Sequence, residues 1–380
     1  GLIGTNWNGL IVTCNSGDLC RLNWTTINGE VTITDCDPSA TGELVIPDTI
    51  EGNPVTSIGG SAFWQNTGLT RVIIPNGVTS IGYGAFSGCS GLTEMAIPDT
   101  VTSIEDAAFY NCTSLTSITI PDSVTSIGFD GITLGVFRGC SSLTEITIPN
   151  SITRLEDDTF WGCSALTSIT IPSSVTSIGS NTFFACSGLT EITIPDTVTS
   201  IGDGAFVGCT SLTAIIIPDS ITTIESYTFS GCTSLTSITI PASVTSIGDR
   251  AFRDCSSLNE VTLGSGITAI PDGCFRNCTS LTYITVPAGV NSIGASAFLQ
   301  CSSLSTIVFT GPAPVTVGVD AFAGVASDAI VVVEAETRPS FGLIGTNWNG
   351  LIVTCNSGDL CRLNWTTING EVTITDCDPS

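Results

Sequence analysis

The sequence contains no histidine and no lysine, a single methionine, and only nine arginines against 34 Asp and Glu. The missing histidine removes the commonest general base and the commonest metal ligand. The missing lysine removes Schiff-base chemistry and any Lys–Asn isopeptide cross-link. A net charge of -25 leaves little with which to neutralise phosphates, so nucleic acid is not an expected partner. No apolar run approaches the ~20 residues that span a bilayer, so membrane insertion is not expected. No charged and apolar leader stands at Gly1, so any secretion signal is expected to have been removed or to lie outside this stretch. Paired carboxylates such as Asp157 and Asp158 read as solvated turn residues, and no nucleophile–base constellation or phosphate loop occurs. Neither an enzyme nor a cofactor is expected.

What is present is repetition at two levels. Residues 1–39 recur letter for letter as residues 342–380. Between the copies runs an array of 23-residue units of the form LTxIxIPxxVTxIGxxAFxxC, whose letters vary from unit to unit. The phenylalanine register counts twelve rungs, from Phe63 and Phe86 through to Phe298 and Phe322. A fixed short period with one set of apolar letters marks a solenoid, in which each unit buries its face on its neighbours.

Each letter has a physical role. Ile146 and Ile148 share one face of a short strand and Thr147 takes the other. The proline that follows, such as Pro149, has no N–H to give and ends the strand. Val-Thr-x-Ile makes a second extended segment, and Gly turns the chain after it. Cys three residues after Phe fits a short helical or 3₁₀ segment. Between Gly128 and Val136 the period is broken by residues 129–135. This insertion is read either as a tolerated surface loop or as a contact loop carrying Phe129, Ile132 and Leu134.

The two recurring halves, LTxIxIP and IGxxAFxxC, closely resemble the BspA-like class of leucine-rich repeats over roughly residues 44–322. The resemblance implies a curved right-handed β-rich solenoid of short strands and short helical or 3₁₀ turns. It implies a place on cell surfaces, adhesion or protein binding, and no catalysis. It also implies that the Trp-Asn-Gly-Leu-x-Val segment near Trp348 closes a C-terminal cap.

The expected organisation is a junction and N-terminal cap over residues 1–39, a solenoid over 40–322, a C-terminal cap over 323–354, and a junction segment over 355–380. In the first copy, Asn28-Gly29 between two alternating runs predicts a hairpin. Three accounts of the duplication stand side by side: periods of a head-to-tail chain of solenoids, strand donation between complete subunits, and an accident of how the chain is delimited.

Three sets of residues are singled out. Trp7, Trp24, Trp348 and Trp365 are expected to anchor an assembly junction, since large aromatics dominate interfaces. Cys14 and Cys20, with their copies Cys355 and Cys361, close short loops in which a disulfide is possible in an oxidising compartment; the odd Cys36 has no assigned partner. Glu94, Glu145, Glu191 and Glu260 flank the outward row of Thr119, Thr147, Thr170, Thr193 and Thr239 and mark a possible concave binding face. Against the last, threonine is also simply a good strand former on a wet face. The ten cysteines at one array register, Cys89 among them, are expected to be inert buried thiols, since ligands in a single row cannot converge tetrahedrally on a metal. The expected function is an extracellular structural protein whose solenoids join end to end, with itself as partner. The rival is a cell-surface adhesin that binds a host protein or glycan.

Overall fold

The computed structural model describes residues 10–13, 19–128, 134–333, 351–355, 362–368 and 371–378. Among them there are strands and turns but no helix. The chain forms two compact units, Gly1–Cys209 and Thr210–Ser380, each described by itself.

The first unit opens with three strands: β1 (Leu10–Thr13), β2 (Leu19–Ile27) and β3 (Glu30–Cys36). β1 and β3 both lie antiparallel to β2, and the β2–β3 pair carries a bulge at Asn23/Trp24. Asn28 and Gly29 join β2 to β3 with φ of 55° and 80°, the left-handed pair that a tight hairpin turn requires and that Asn-Gly supplies at least cost. β3 then lies parallel to Asn53–Ile58, with Val31 opposite Val55 and Ile33 opposite Ile58, and so starts the ladder of rungs. Leu22, Val31 and Ile33 are fully buried under it.

Each regular rung contributes one strand to each of two parallel sheets. The first strand is three residues long, as in Ser117–Thr119, and buries only its middle residue. The second is two residues long, as in Ser103–Ile104. Both match the two extended segments read from the repeat, and both are parallel to their equivalents in adjoining rungs. The phenylalanines fill the interior. In the first unit Phe63 to Phe206 stack in one column, with ring centroids 4.9 Å apart at Phe63–Phe86 and 5.7 Å at Phe137–Phe160. In the second unit Phe229 to Phe322 do the same, from 5.4 Å at Phe229–Phe252 to 5.2 Å at Phe298–Phe322. Offset stacks of this kind add about 0.5–1.5 kcal/mol per pair beyond burial.

The segment around each phenylalanine corrects the expectation of a short helix or 3₁₀ turn. Its N–H groups alternate in direction. Those of Gly84, Phe86 and Gly88 donate to carbonyls of the next rung (Asp106, Ala108 and Tyr110), while those of Ala85, Ser87 and Cys89 donate three residues back. A helix would send every N–H back along its own chain. The alternation is possible because residues two before and two after Phe have φ near +60°, as at Gly84 (59°) and Gly88 (76°). Other rungs place Asn, Asp, Ser, Gln, Ala, Tyr or Arg there.

One further feature went unread in the sequence. The recurrent threonines tie rungs together: the hydroxyl of Thr93 donates to the Thr70 carbonyl at 3.1 Å, Thr116 to Thr93 at 3.0 Å, and Thr102 to Thr79 at 3.2 Å. The insertion at residues 129–135 lies mostly outside the described residues. Of its three apolar residues Leu134 is half-buried, and its carbonyl accepts from the Ala107 N–H.

Candidate assembly and binding surfaces

The duplicated segment builds the same hairpin twice. Arg362–Ile368 pairs antiparallel with Glu371–Asp378, with a bulge at Asn364/Trp365 that reproduces the one at Asn23/Trp24. In the first copy the second strand of the hairpin goes on to pair with a rung; in the second copy it pairs with Arg362–Ile368 alone among the described residues. The preceding stretch takes two different roles. As β1 it lies antiparallel on β2. As Ile352–Cys355 it lies parallel on Ile330–Val333, with Val353 opposite Val331 and Cys355 opposite Val333, and so extends the first sheet of the second unit by one strand.

Of the expected junction anchors, Trp24 is half-buried on β2 and Trp365 occupies the same bulge position in the second hairpin. Trp7 and Trp348 lie outside the described residues. So do Cys14 and Cys361, while Cys20 and Cys355 lie on strands, with Cys20 opposite Val12 and Cys355 opposite Val333. Cys36 is buried in the first unit, where its thiol reaches the Asp37 carbonyl at 3.7 Å and accepts from Asn66 Nδ2 at 3.6 Å. Burial and the Asp37 and Asp35 carboxylates push this thiol up to about 12.

The array cysteines are buried, and each has a specific partner that sequence reasoning missed. The thiol of Cys89 donates to the carbonyl of Phe63 at 3.0 Å, Cys112 to Phe86 at 3.1 Å, and Cys301 to Phe275 at 3.0 Å. These carbonyls already accept the N–H three residues on, so the thiol satisfies a second lone pair in the interior. The one sequence clue is Asn66, which stands at the cysteine register of the first rung and donates to the Asp37 carbonyl at 2.8 Å. Among the described residues no group of three or more metal-binding side chains occurs, and no helix is long and apolar enough to cross a membrane.

On the outward face of the first unit, Thr119, Thr147, Thr170 and Thr193 stand directly opposite one another on successive rungs. Glu94 and Glu145 lie on either side of Ser117, and Ser168 lies opposite Glu191, so a neutral rung separates like charges. All three glutamates are exposed. Glu94 is committed to an ion pair with Arg71 at 3.2 Å, whose guanidinium also reaches Glu43 at 3.5 Å. Glu260 and Thr239 occupy the equivalent positions in the second unit, where Glu260 lies opposite Ser237. An exposed ion pair of this kind contributes at most ~1 kcal/mol.

Residues 56–132, 129–234 and 199–329 match the BspA type leucine rich repeat region, six copies. The chain belongs to this family. BspA-type proteins are typically cell-surface proteins, and their repeats and solenoid fold are typically non-enzymatic. A crystal structure of a leucine-rich repeat protein from Bacteroides ovatus ATCC 8483 is 27% identical with a TM-score of 0.67, over 89% of this chain and 98% of that one. The crystal structure of the pneumococcal vaccine antigen PcpA is 18% identical with a TM-score of 0.52, over 92% of this chain and 99% of that one, and shares the fold. No curated protein matches the chain significantly.

Proposed function

We propose that this BspA-type protein is an extracellular structural protein whose solenoids join end to end, into a fibre or a surface layer, through the duplicated segments. One observation carries the reading. The Arg362–Ile368 and Glu371–Asp378 hairpin repeats the strand pairing and bulge of β2–β3, the element that begins a solenoid, yet pairs with no rung among the described residues. A lone two-stranded hairpin is at best marginally stable in water. The rung it fits is the one that β3 occupies, so on a second copy of this chain it would take the place of β3, with Val372 and Ile374 where Val31 and Ile33 stand. The partner of the chain is therefore another period of the same sequence. The net charge of -25 opposes side-by-side association and so favours contact at the ends.

Imaging the native material tests this. Intact chains are expected to form linear assemblies, and chains lacking residues 342–380 are not. Linear assemblies that persist without those residues would contradict it.

A second reading is an adhesin that holds a host protein or glycan on the Thr/Glu face. The aligned exposed threonines favour it, as do Glu145 and Glu191, which are in no ion pair among the described residues. Substituting Glu145 and Glu191 by Gln would then weaken binding and leave assembly intact.

A further inference from the structure

The second unit carries a cluster that neither the end-to-end reading nor the Thr/Glu face uses. Three of the nine arginines in the chain, Arg250, Arg253 and Arg276, fall on two adjacent rungs. Arg253 and Arg276 each follow the rung phenylalanine, so they are side by side, an arrangement of like charges that is unfavourable without an anion between them. Arg253 is partly neutralised by Asp254, at 3.0 Å. Arg276 makes no side-chain hydrogen bond or ion pair among the described residues, and its Nε is buried without an acceptor. A buried donor left unpaired costs about 1–3 kcal/mol, more when charged.

Arg250 passes over Gly273, beside the base of the Arg276 side chain. The point a Cβ would occupy there lies 3.2 Å from Arg250 Cγ, 3.9 Å from Arg250 Nε and 4.0 Å from Arg276 Cβ. Arg250 Nη1 donates to the Tyr227 hydroxyl at 2.7 Å, and its guanidinium lies 5.5 Å from the centre of the Tyr227 ring. Tyr227 as a whole remains 39% exposed. Tyr227 and Arg250 also sit at left-handed positions, with φ of 58° and 57°, where Gly204 and Gly273 serve on other rungs. Bulky side chains are disfavoured there by roughly 1–2 kcal/mol, and such strain is retained most often where the side chains have a task.

The acidic groups around the cluster are Asp249, Asp254 and Asp272. Asp254 is held by Arg253 and by Asn277 at 2.6 Å, and Asp272 accepts from the Ala295 N–H at 2.7 Å. Guanidinium groups suit a carboxylate or sulfate, an exposed aromatic ring suits the face of a sugar, and carboxylates beside them suit its hydroxyls. We infer that Tyr227, Arg250, Arg253 and Arg276 form a binding site for an acidic sugar, with the arginines on its anionic group and Tyr227 against its ring.

The test is calorimetric titration of the full chain with three probes: oligogalacturonate, its methyl ester, and inorganic sulfate. The free acid and sulfate are expected to bind saturably, and the ester at least tenfold more weakly than the acid. The triple variant Arg250→Gln/Arg253→Gln/Arg276→Gln should lose roughly tenfold or more in affinity for both anions, while Arg154→Gln should lose nothing. Tyr227→Ala should weaken the oligosaccharide and spare sulfate. Thermal unfolding establishes that each variant is folded, and Arg276→Gln alone serves if the triple variant is not. Absence of saturable binding by the free acid, equal binding of acid and ester, or full affinity in the arginine variants would each overturn the inference. Sulfate binding without oligogalacturonate binding would overturn the assignment to a sugar.

Discussion

The two copies of the 39-residue segment have one sequence and two settings. In both, the second half folds into the same antiparallel hairpin with the same bulge. The outer edge differs. In the first copy the strand Glu30–Cys36 carries Asn53–Ile58 and the rungs beyond it, and Val31 and Ile33 are fully buried. In the second, Glu371–Asp378 has only its hairpin mate among the described residues. The stretch before the hairpin differs more, antiparallel on its own hairpin in one copy and parallel on Ile330–Val333 in the other. Local sequence therefore sets the hairpin, through Asn28-Gly29 and the alternation around it, while the neighbour on offer decides what its edges and flanking strand pair with.

The largest expected effect separates the copies directly. Val31→Asp places a charge in the fully buried cap of the first unit and should lower the stability of that unit by about 3 kcal/mol or more, read by denaturant unfolding. The same change at Val372 should leave the unfolding of dilute chains almost unaltered and impair only association. Equal losses at both sites would mean that the second hairpin is already packed on a rung within its own chain, and the contrast between the copies would disappear.

A smaller effect concerns the interior that both units share. Burial pushes the thiols of Cys89, Cys140 and Cys186 up to about 12 from the ordinary 9.0. A thiol whose pKa is raised on folding stays protonated in the native state while the unfolded chain ionises first. The thiols' contribution to stability should therefore be constant below about pH 9 and fall from there towards about 12. Alanine at two or three of these positions should cost about 1 kcal/mol each near pH 7, from the lost hydrogen bond to the phenylalanine carbonyl, and should flatten the alkaline decline. A decline that is unchanged in the alanine variants would place its cause elsewhere.

The smallest effect tests the turn ladder that replaced the expected helix. Ala185 is at a left-handed position with φ of 55°, and Gly162 holds the same register one rung earlier with φ of 72°. Ala185→Gly should raise stability by up to about 1 kcal/mol and Gly162→Ala should lower it by a similar amount. Helical residues would respond with the opposite signs.

The repeat letters made the core legible. Ile146, Ile148, Phe160 and Cys163 are buried as their spacing requires, and the Pro and Gly positions mark the breaks between strands. The turn conformation was not legible, because Phe followed three residues later by Cys fits one helical turn as well as it fits two left-handed residues around a phenylalanine. Only the mixture of Gly, Asn, Asp and Ser at those two positions distinguishes them, and Ala107, Ala185, Tyr227 and Arg250 obscure it. The pairing of these thiols with a phenylalanine carbonyl of the preceding rung, 26 residues earlier for Cys89 with Phe63 and 31 for Cys140 with Phe109, was hidden for a related reason. It joins two rungs, and a pattern read within one period does not show contacts between periods. The Thr/Glu face was legible as alignment, since strand register follows directly from the repeat. The commitment of Glu94 to Arg71 was not, because Arg71 stands alone at its register.

The central claim is that the second hairpin joins one period to the next. Its most direct test is the mass in solution, across a range of concentrations, of the intact chain and of the variant Val372→Asp/Ile374→Asp. The intact chain should rise in steps of 39.1 kDa as concentration increases, and the variant should stay at 39.1 kDa. An intact chain that remains at the single-chain mass throughout, or a variant that associates as well as the intact chain, would contradict the account.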